Sequence, residues 1–261
     1  MLSEQELDRL CVVLVRARNS NNIGAAARAM RDFGFGHLCV VNDYAVPFED
    51  ARSAVDASSV LTGAVRSASV AEAVAGCTLV VGTTAIGERT LEHELLPLPE
   101  AALRILTELQ RPAPPDAANA PRVALLFGSE KTGLSNEELS YCHWLLTIPM
   151  HQIEGAGHVS MNLGQAVAVC LYELVRAQPP QLDDCAASPS QPVTAATLER
   201  VTAALREVME ATEYTRRHAA NSDPAQVRRL VRRIGMDAVD ASVWMGILRQ
   251  ALWKLGRSRD E

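Results

Sequence analysis

Along the chain up to Ile148, five short apolar runs stand out against polar surroundings: Cys11–Val15, Leu38–Val41, Leu79–Val81, Val123–Phe127 and Trp144–Ile148. They are rich in Val and Leu and lack the alternation of a strand with one wet face. Such runs predict strands covered on both sides within a largely parallel sheet. Between them the spacing changes. Gly24–Asp32 is Ala-rich, Val70–Ala75 is short, and Leu98–Leu109 repeats Leu and Ala at three-to-four spacing, so each predicts a helix. Strand and helix alternate, which predicts an α/β fold with helices on both faces of a mostly parallel sheet. The Pro- and Ala-rich stretch Arg111–Pro121 reads as a surface loop inside the same domain.

After a strongly apolar helix-like segment, Leu163–Arg176, the pattern breaks at Gln178–Pro192, where Pro, Ser, Asp and Gln crowd together as in a linker. Beyond it, Thr194–Tyr214, Pro224–Ile234 and Asp237–Leu255 have helical periodicity, and Asp223-Pro224 suits a helix start. The division expected is an α/β domain over residues 1–177, a linker over 178–193 and a small all-helical extension over 194–261.

Composition adds a few limits. The chain has 261 residues, enough for a substantial core, and a net charge of −6. That charge is unevenly spread: residues 191–261 carry 12 Lys+Arg against 9 Asp+Glu, and residues 1–190 carry 13 against 22. The basic extension is therefore the expected nucleic-acid surface, with Arg228, Arg229, Arg232 and Arg233 as a phosphate-facing stripe and Leu230, Val231 and Ile234 facing inward. The six cysteines form no C-x-x-C pair and lie mostly in apolar runs, so they read as reduced core residues, and no metal is expected. No stretch has the roughly 18 uncharged apolar residues of a membrane span. The acidic start, Met1-Leu-Ser-Glu-Gln-Glu-Leu-Asp8, is unlike a signal peptide, so a soluble cytoplasmic protein without a membrane partner is expected.

Three polar motifs sit where an apolar run gives way to a helix, the edge at which open α/β sheets bind ligands. The first is Asn22-Ile-Gly-Ala-Ala-Ala-Arg28. A helix beginning at Ile23 after an Asn-containing turn would bring Asn22 and Arg28 toward one site, where a planar guanidinium suits a phosphate or ribose oxygen. A capped helix with a solvated Arg fits the same residues. The second is Gly128-Ser-Glu-Lys-Thr-Gly-Leu-Ser135, whose Gly128 and Gly133 permit close backbone approach and whose Ser135 and Glu138 have capping-box spacing. Lys131-Thr132 lacks the spacing of a phosphate loop. Glu130 suits either catalysis or fixing the loop through hydrogen bonds. The third is Ser160-Met-Asn-Leu-Gly-Gln-Ala166, at the head of an apolar helix, where Ser160 and Asn162 suit helix caps or ligand contacts. His151 and His158 have no partner at ligand spacing and read as loop residues.

Together these motifs resemble those of the SpoU/TrmH-type RNA ribose 2′-O-methyltransferases of the SPOUT superfamily, over about residues 10–177. The resemblance implies a trefoil knot, roughly residues 121–177, and a homodimer with the active site beside the subunit interface. It also implies S-adenosylmethionine as cofactor, held by Thr83, Thr84, Ala85, Gly128, Gly133, Ile148, Ser160, Met161 and Asn162. Arg28 would then be the residue that activates or orients the ribose hydroxyl, with Asn22, Glu130, Ser160 and Asn162 positioning the reactants. Asn22–Met30, Gly133–Leu139 and the tail segments Val227–Ile234 and Met245–Gln250 are similar to the TrmJ branch of the group. That likeness implies tRNA as partner and the ribose of position 32 in the anticodon loop as target, with another tRNA position, an rRNA, or a catalytically silent RNA-binding protein of the same fold as the alternatives. The loop Met150–Val159 is longer than usual for the branch, and Met161 stands where Leu is common.

Overall fold

The computed structural model describes residues 2–42, 58–85, 92–112, 122–151, 161–176 and 191–257. Its order is α1 (Glu4–Leu7), β1 (Leu10–Val15), α2 (Ser20–Asp32), β2 (His37–Val41), α3 (Ser58–Thr62), β3 (Val65–Ser67), α4 (Val70–Val74), β4 (Leu79–Thr83), β5 (Leu95–Pro97), α5 (Leu98–Leu109), β6 (Val123–Phe127), α6 (Asn136–Leu139), β7 (Trp144–Thr147) and α7 (Leu163–Arg176). Then follow α8 (Ala195–Ala211), α9 (Tyr214–Arg217), α10 (Pro224–Arg233) and α11 (Ala238–Arg257). The strands form one sheet in the order β3-β2-β1-β6-β4-β7-β5, and every pairing in it is parallel.

The unbroken apolar runs are explained by two covered faces. Along β1, Leu10, Val12 and Leu14 enter a core with α2, α5 and α7, while Val13 and Val15 enter a second core with α4 and α6. β6 divides the same way, with Val123, Leu125 and Phe127 on one side and Ala124 and Leu126 on the other. Period-2 geometry thus operates although every position is apolar. The buried thiols behave as core groups: burial pushes Cys142 and Cys170 up to about 12.

Two edge strands, β3 and β5, are too short to have stood out in the sequence. The loop expected at Arg111–Pro121 falls largely outside the described residues, and so do most of the linker and the segment 152–160, part of the stretch 121–177 expected to be knotted. Where the linker ends, the boundary moves. Val193 is already buried in the helical unit's own core with Leu198, Val201 and Val231, and Gln191 O accepts from Ala238 N at 2.9 Å.

Candidate active site

The first motif begins earlier than its pattern suggested. α2 starts at Ser20, capped by Asn19, whose side chain accepts from Asn21 N, so Asn22 already lies inside the first turn. Its amide donates from Nδ2 to Glu130 Oε1 at 2.7 Å, and its Oδ1 accepts from Asn162 Nδ2 at 3.1 Å. Asn162 Oδ1 in turn accepts from Gly164 N at 2.9 Å, near the start of α7. One line of hydrogen bonds therefore joins all three motifs across sequence separations of 108 and 140 residues. The approach of α2 to α7 is close: a Cβ on Gly164 would lie 2.6 Å from Ala25 Cβ. The Ala-rich face of motif one and the glycine of motif three meet there.

Motif two leaves β6 as a tight loop. Gly133 N donates to Ser129 O at 2.8 Å and adopts φ +65°, and Ser129 Oγ and Thr132 Oγ1 are 2.8 Å apart. Gly128 is needed by the loop itself, since a Cβ there would lie 2.1 Å from Gly133 C. The close approach expected toward a ligand is thus first an approach to its own chain. The capping box of α6 forms as its spacing predicted, with Ser135 and Glu138 bonded reciprocally. Sequence reasoning missed Arg16, directly after β1, whose Nε and Nη2 donate to the Glu138 carboxylate at 2.6 and 2.9 Å. Burial would raise the Glu138 carboxyl, but the bonds from Arg16 and Ser135 outweigh this and hold it below its ordinary value. A lone Arg in a polar turn carries no spacing signal that could have revealed this.

The same edge of the sheet brings up most of the expected cofactor residues. Thr83 donates to Leu126 O at 2.9 Å, Thr84 N donates to Leu146 O at 3.0 Å, and Ala85, Ile148, Met161 and Asn162 lie at neighbouring strand ends or at the head of α7. Ser160, His158 and most of the Met150–Val159 loop lie outside the described residues. At the end of β7 the buried Thr147 hydroxyl has no partner among the described residues. A buried orphaned donor at a strand's carboxyl end fits a site that a polar ligand completes.

Arg28 is not brought into this set. Starting α2 at Ser20 places it on the helix six positions after Asn22, about 240° around the axis at 3.6 residues per turn. It is exposed and makes no hydrogen bond or ion pair among the described residues. Within one chain, Asn22 and Arg28 therefore lie on different faces of α2.

The basic stripe of the extension is likewise corrected. Arg232 is buried, with Nε donating to Tyr141 O at 2.8 Å and Nη1 to Glu199 Oε1 at 2.9 Å. Arg228 donates to Glu199 Oε2 at 3.1 Å and to Ser140 Oγ at 2.9 Å, and it stacks on the Tyr141 ring. Arg229 pairs with Glu92, while Arg233 is exposed. Val231 faces inward as expected, but Leu230 and Ile234 are 47% and 48% exposed. The helix is rotated so that three arginines bind the α/β domain or α8, because each finds a carboxylate or carbonyl there. Together with Ala195 N donating to Cys77 O at 2.8 Å, they fasten the helical unit to the amino-terminal ends of β4 and β7.

Among the described residues, no helix is long and apolar enough to cross a membrane, and no three His, Cys, Asp or Glu side chains converge as metal ligands would. A parallel sheet whose three polar motifs meet at its carboxyl edge describes a class of RNA methylases: residues 9–172 match the SpoU rRNA Methylase family, and the chain belongs to it. The tRNA (cytidine/uridine-2′-O-)-methyltransferase TrmJ of Cronobacter sakazakii is 34% identical over 260 residues, covering 98% of this chain and 99% of that protein. The TrmJ of Salmonella typhimurium is 33% identical over 246 residues, 93% of this chain and 96% of its own length. Among solved structures, TrmJ from Z. mobilis ZM4 matches with a TM-score of 0.75 at 26% identity, covering 92% of this chain and 97% of that one. A probable methylase family protein from Haemophilus influenzae matches at 0.56 and 26% identity, covering 97% and 99%.

Proposed function

We propose that this chain methylates a ribose 2′-hydroxyl of tRNA, at position 32 of the anticodon loop, and works as a knotted, cytoplasmic homodimer that uses S-adenosylmethionine. The observation that carries the reading is the line Glu130–Asn22–Asn162, which gathers the three motifs at the carboxyl edge of the sheet. The printed activity of the TrmJ relatives, matched over nearly the whole chain, supports tRNA as substrate.

Residues 83–85, Gly128, Gly133, Ile148 and Ser160–Asn162 would hold the cofactor, which would supply an electrophilic methyl group on sulfur. A neutral 2′-hydroxyl is a poor nucleophile and has to lose its proton as its oxygen attacks. A guanidinium offers donors and no acceptor atom, so the part of Arg28 is electrostatic stabilisation of the developing alkoxide, with a neighbouring RNA phosphate accepting the proton. Its exposure on α2 suits a site completed by a second copy. Phe33 and Tyr172, with ring centroids 6.1 Å apart, and the exposed Val175 offer that copy an apolar face at the end of α2 and on α7.

Mapping 2′-O-methyl groups on total RNA with and without the protein, and on tRNA and rRNA transcripts, tests the reading. The expected result is a cofactor-dependent mark on the ribose of tRNA position 32. A mark at another tRNA position or only on rRNA would replace the target. No mark, together with no S-adenosylmethionine binding in calorimetry, would leave a catalytically silent RNA-binding protein of this fold.

A further inference from the structure

The residue after β1 holds a backbone conformation that side chains rarely adopt. Arg16 has φ +54°, in the left-handed region, yet its N–H remains tied to Val41 O at 2.8 Å. A strained non-glycine residue persists where its surroundings fix it, and such residues cluster at functional sites. Here the surroundings are the motif-two loop. Besides gripping Glu138, the guanidinium donates from Nη2 to Gly133 O at 2.9 Å and from Nη1 to Thr132 Oγ1 at 3.3 Å.

The loop is thus held at two points, one from the turn after β1 and one from the first turn of α2. Arg16 holds its base at Thr132, Gly133 and the first turn of α6, and Asn22 holds its tip at Glu130. A planar fork with bonds to a carboxylate, a carbonyl and a hydroxyl fixes orientation as well as distance, which a point charge cannot do. With the Gly133 carbonyl bonded to Arg16 and the Gly133 N–H bonded to Ser129 O, the loop is held closed at its base.

We propose that Arg16 is a positioning residue for S-adenosylmethionine: it pre-sets the motif-two loop as one wall of the cofactor site and couples that wall to the Asn22–Asn162 line. The inference rests on the cofactor reading above. It assigns to Arg16 no contact with the reacting atoms.

The test uses the full chain with Arg16→Met, Arg16→Lys and Glu138→Gln. For Arg16→Met, calorimetry should show cofactor affinity reduced about 10-fold or more, the scale of a lost charge-assisted fork. The KM for cofactor should rise in parallel, while turnover at saturating cofactor stays within about 3-fold of wild type. Arg16→Lys should recover only part of the affinity, and amide exchange at residues 131–134 of the cofactor-free protein should accelerate in both variants. Glu138→Gln keeps a hydrogen-bonding group at the partner position and should give a smaller affinity loss with a native melting profile. It serves as the test if Arg16→Met does not fold. Cofactor affinity within about 2-fold of wild type in a folded Arg16→Met protein, or in Glu138→Gln where Met does not fold, would overturn the proposal while leaving the methyltransferase reading intact. A wild-type protein that binds no S-adenosylmethionine would overturn both.

Discussion

The same parallel sheet carries two polar junctions at its opposite ends, and they differ in what surrounds them. At the carboxyl ends, Glu130, Asn22 and Asn162 are linked by neutral or singly charged bonds and remain partly or fully exposed. At the amino ends, Arg228 and Arg232 share Glu199 and close over Tyr141, with Arg232 buried. An exposed hydrogen bond adds little stability and leaves room for a ligand, whereas a buried charge is costly unless it is paired, as Arg232 is at Nε and Nη1 but, among the described residues, not at Nη2. The first junction is arranged for chemistry and the second for holding two units together. Sequence alone had given the basic cluster to RNA, because a run of arginines looks the same whether it faces water or a carboxylate.

The sharpest way to break this comparison is at the open end. Arg28→Ala should lower methyl transfer by about 100-fold or more while cofactor affinity stays near normal, the expected size for losing one cationic group aimed at a developing charge. Lys should rescue poorly because it lacks the planar fork. Single-turnover assays on a tRNA transcript, paired with calorimetry, check it, and turnover above half of wild type would take Arg28 out of the mechanism.

At the closed end the loss should appear in stability instead. Arg232→Met removes the buried member of the pair and leaves Glu199 Oε1 and Tyr141 O without their donor, while Arg228 still holds Glu199 Oε2, a change that typically costs up to about 3 kcal/mol. The melting temperature should fall by several degrees. If Arg232 instead served RNA, the variant would melt like wild type and bind tRNA with a weaker salt dependence.

A smaller effect belongs to His143, just before β7. Its Nδ1 accepts from Val80 N at 3.0 Å, and burial, reinforced by the charge of Arg232, lowers its pKa to about 4. The folded state therefore favours the neutral ring, whereas the unfolded chain takes up a proton near pH 6.5. Stability from this group is complete above about pH 6.5 and is lost as pH falls from there through about 4. Thermal melts between these limits should show that decline in wild type and a flatter profile in His143→Asn. Equal slopes would mean that His143 titrates normally.

The smallest effect is expected at Arg233, the exposed member of the cluster. Arg233→Gln should shift melting by no more than about 1 °C and lower the salt slope of tRNA binding by at most about 1, the share of a single phosphate contact. A larger slope change would restore a nucleic-acid role to this face of α10.

What the sequence determined by itself was whatever depends on short-range pattern. Doubly covered strands produce unbroken Val and Leu runs, so β1, β2, β4, β6 and β7 stood out within a residue or two at most ends, and α5 and the Ser135/Glu138 cap were fixed by local spacing. The three motifs were legible because each occupies a strand-to-helix turn. Tertiary structure decided the rest. The short edge strands β3 and β5 exist through pairing with β2 and β7. The start of α2 at Ser20 moved Arg28 off the Asn22 face, and the left-handed Arg16 became visible only with its carboxylate 122 residues away. Arg228 and Arg232 turned inward because Glu199 and Tyr141 were there to receive them. A side chain's charge is written in the chain, but its solvation depends on which distant groups the fold places around it, and that governs whether the charge binds a ligand or holds the protein together.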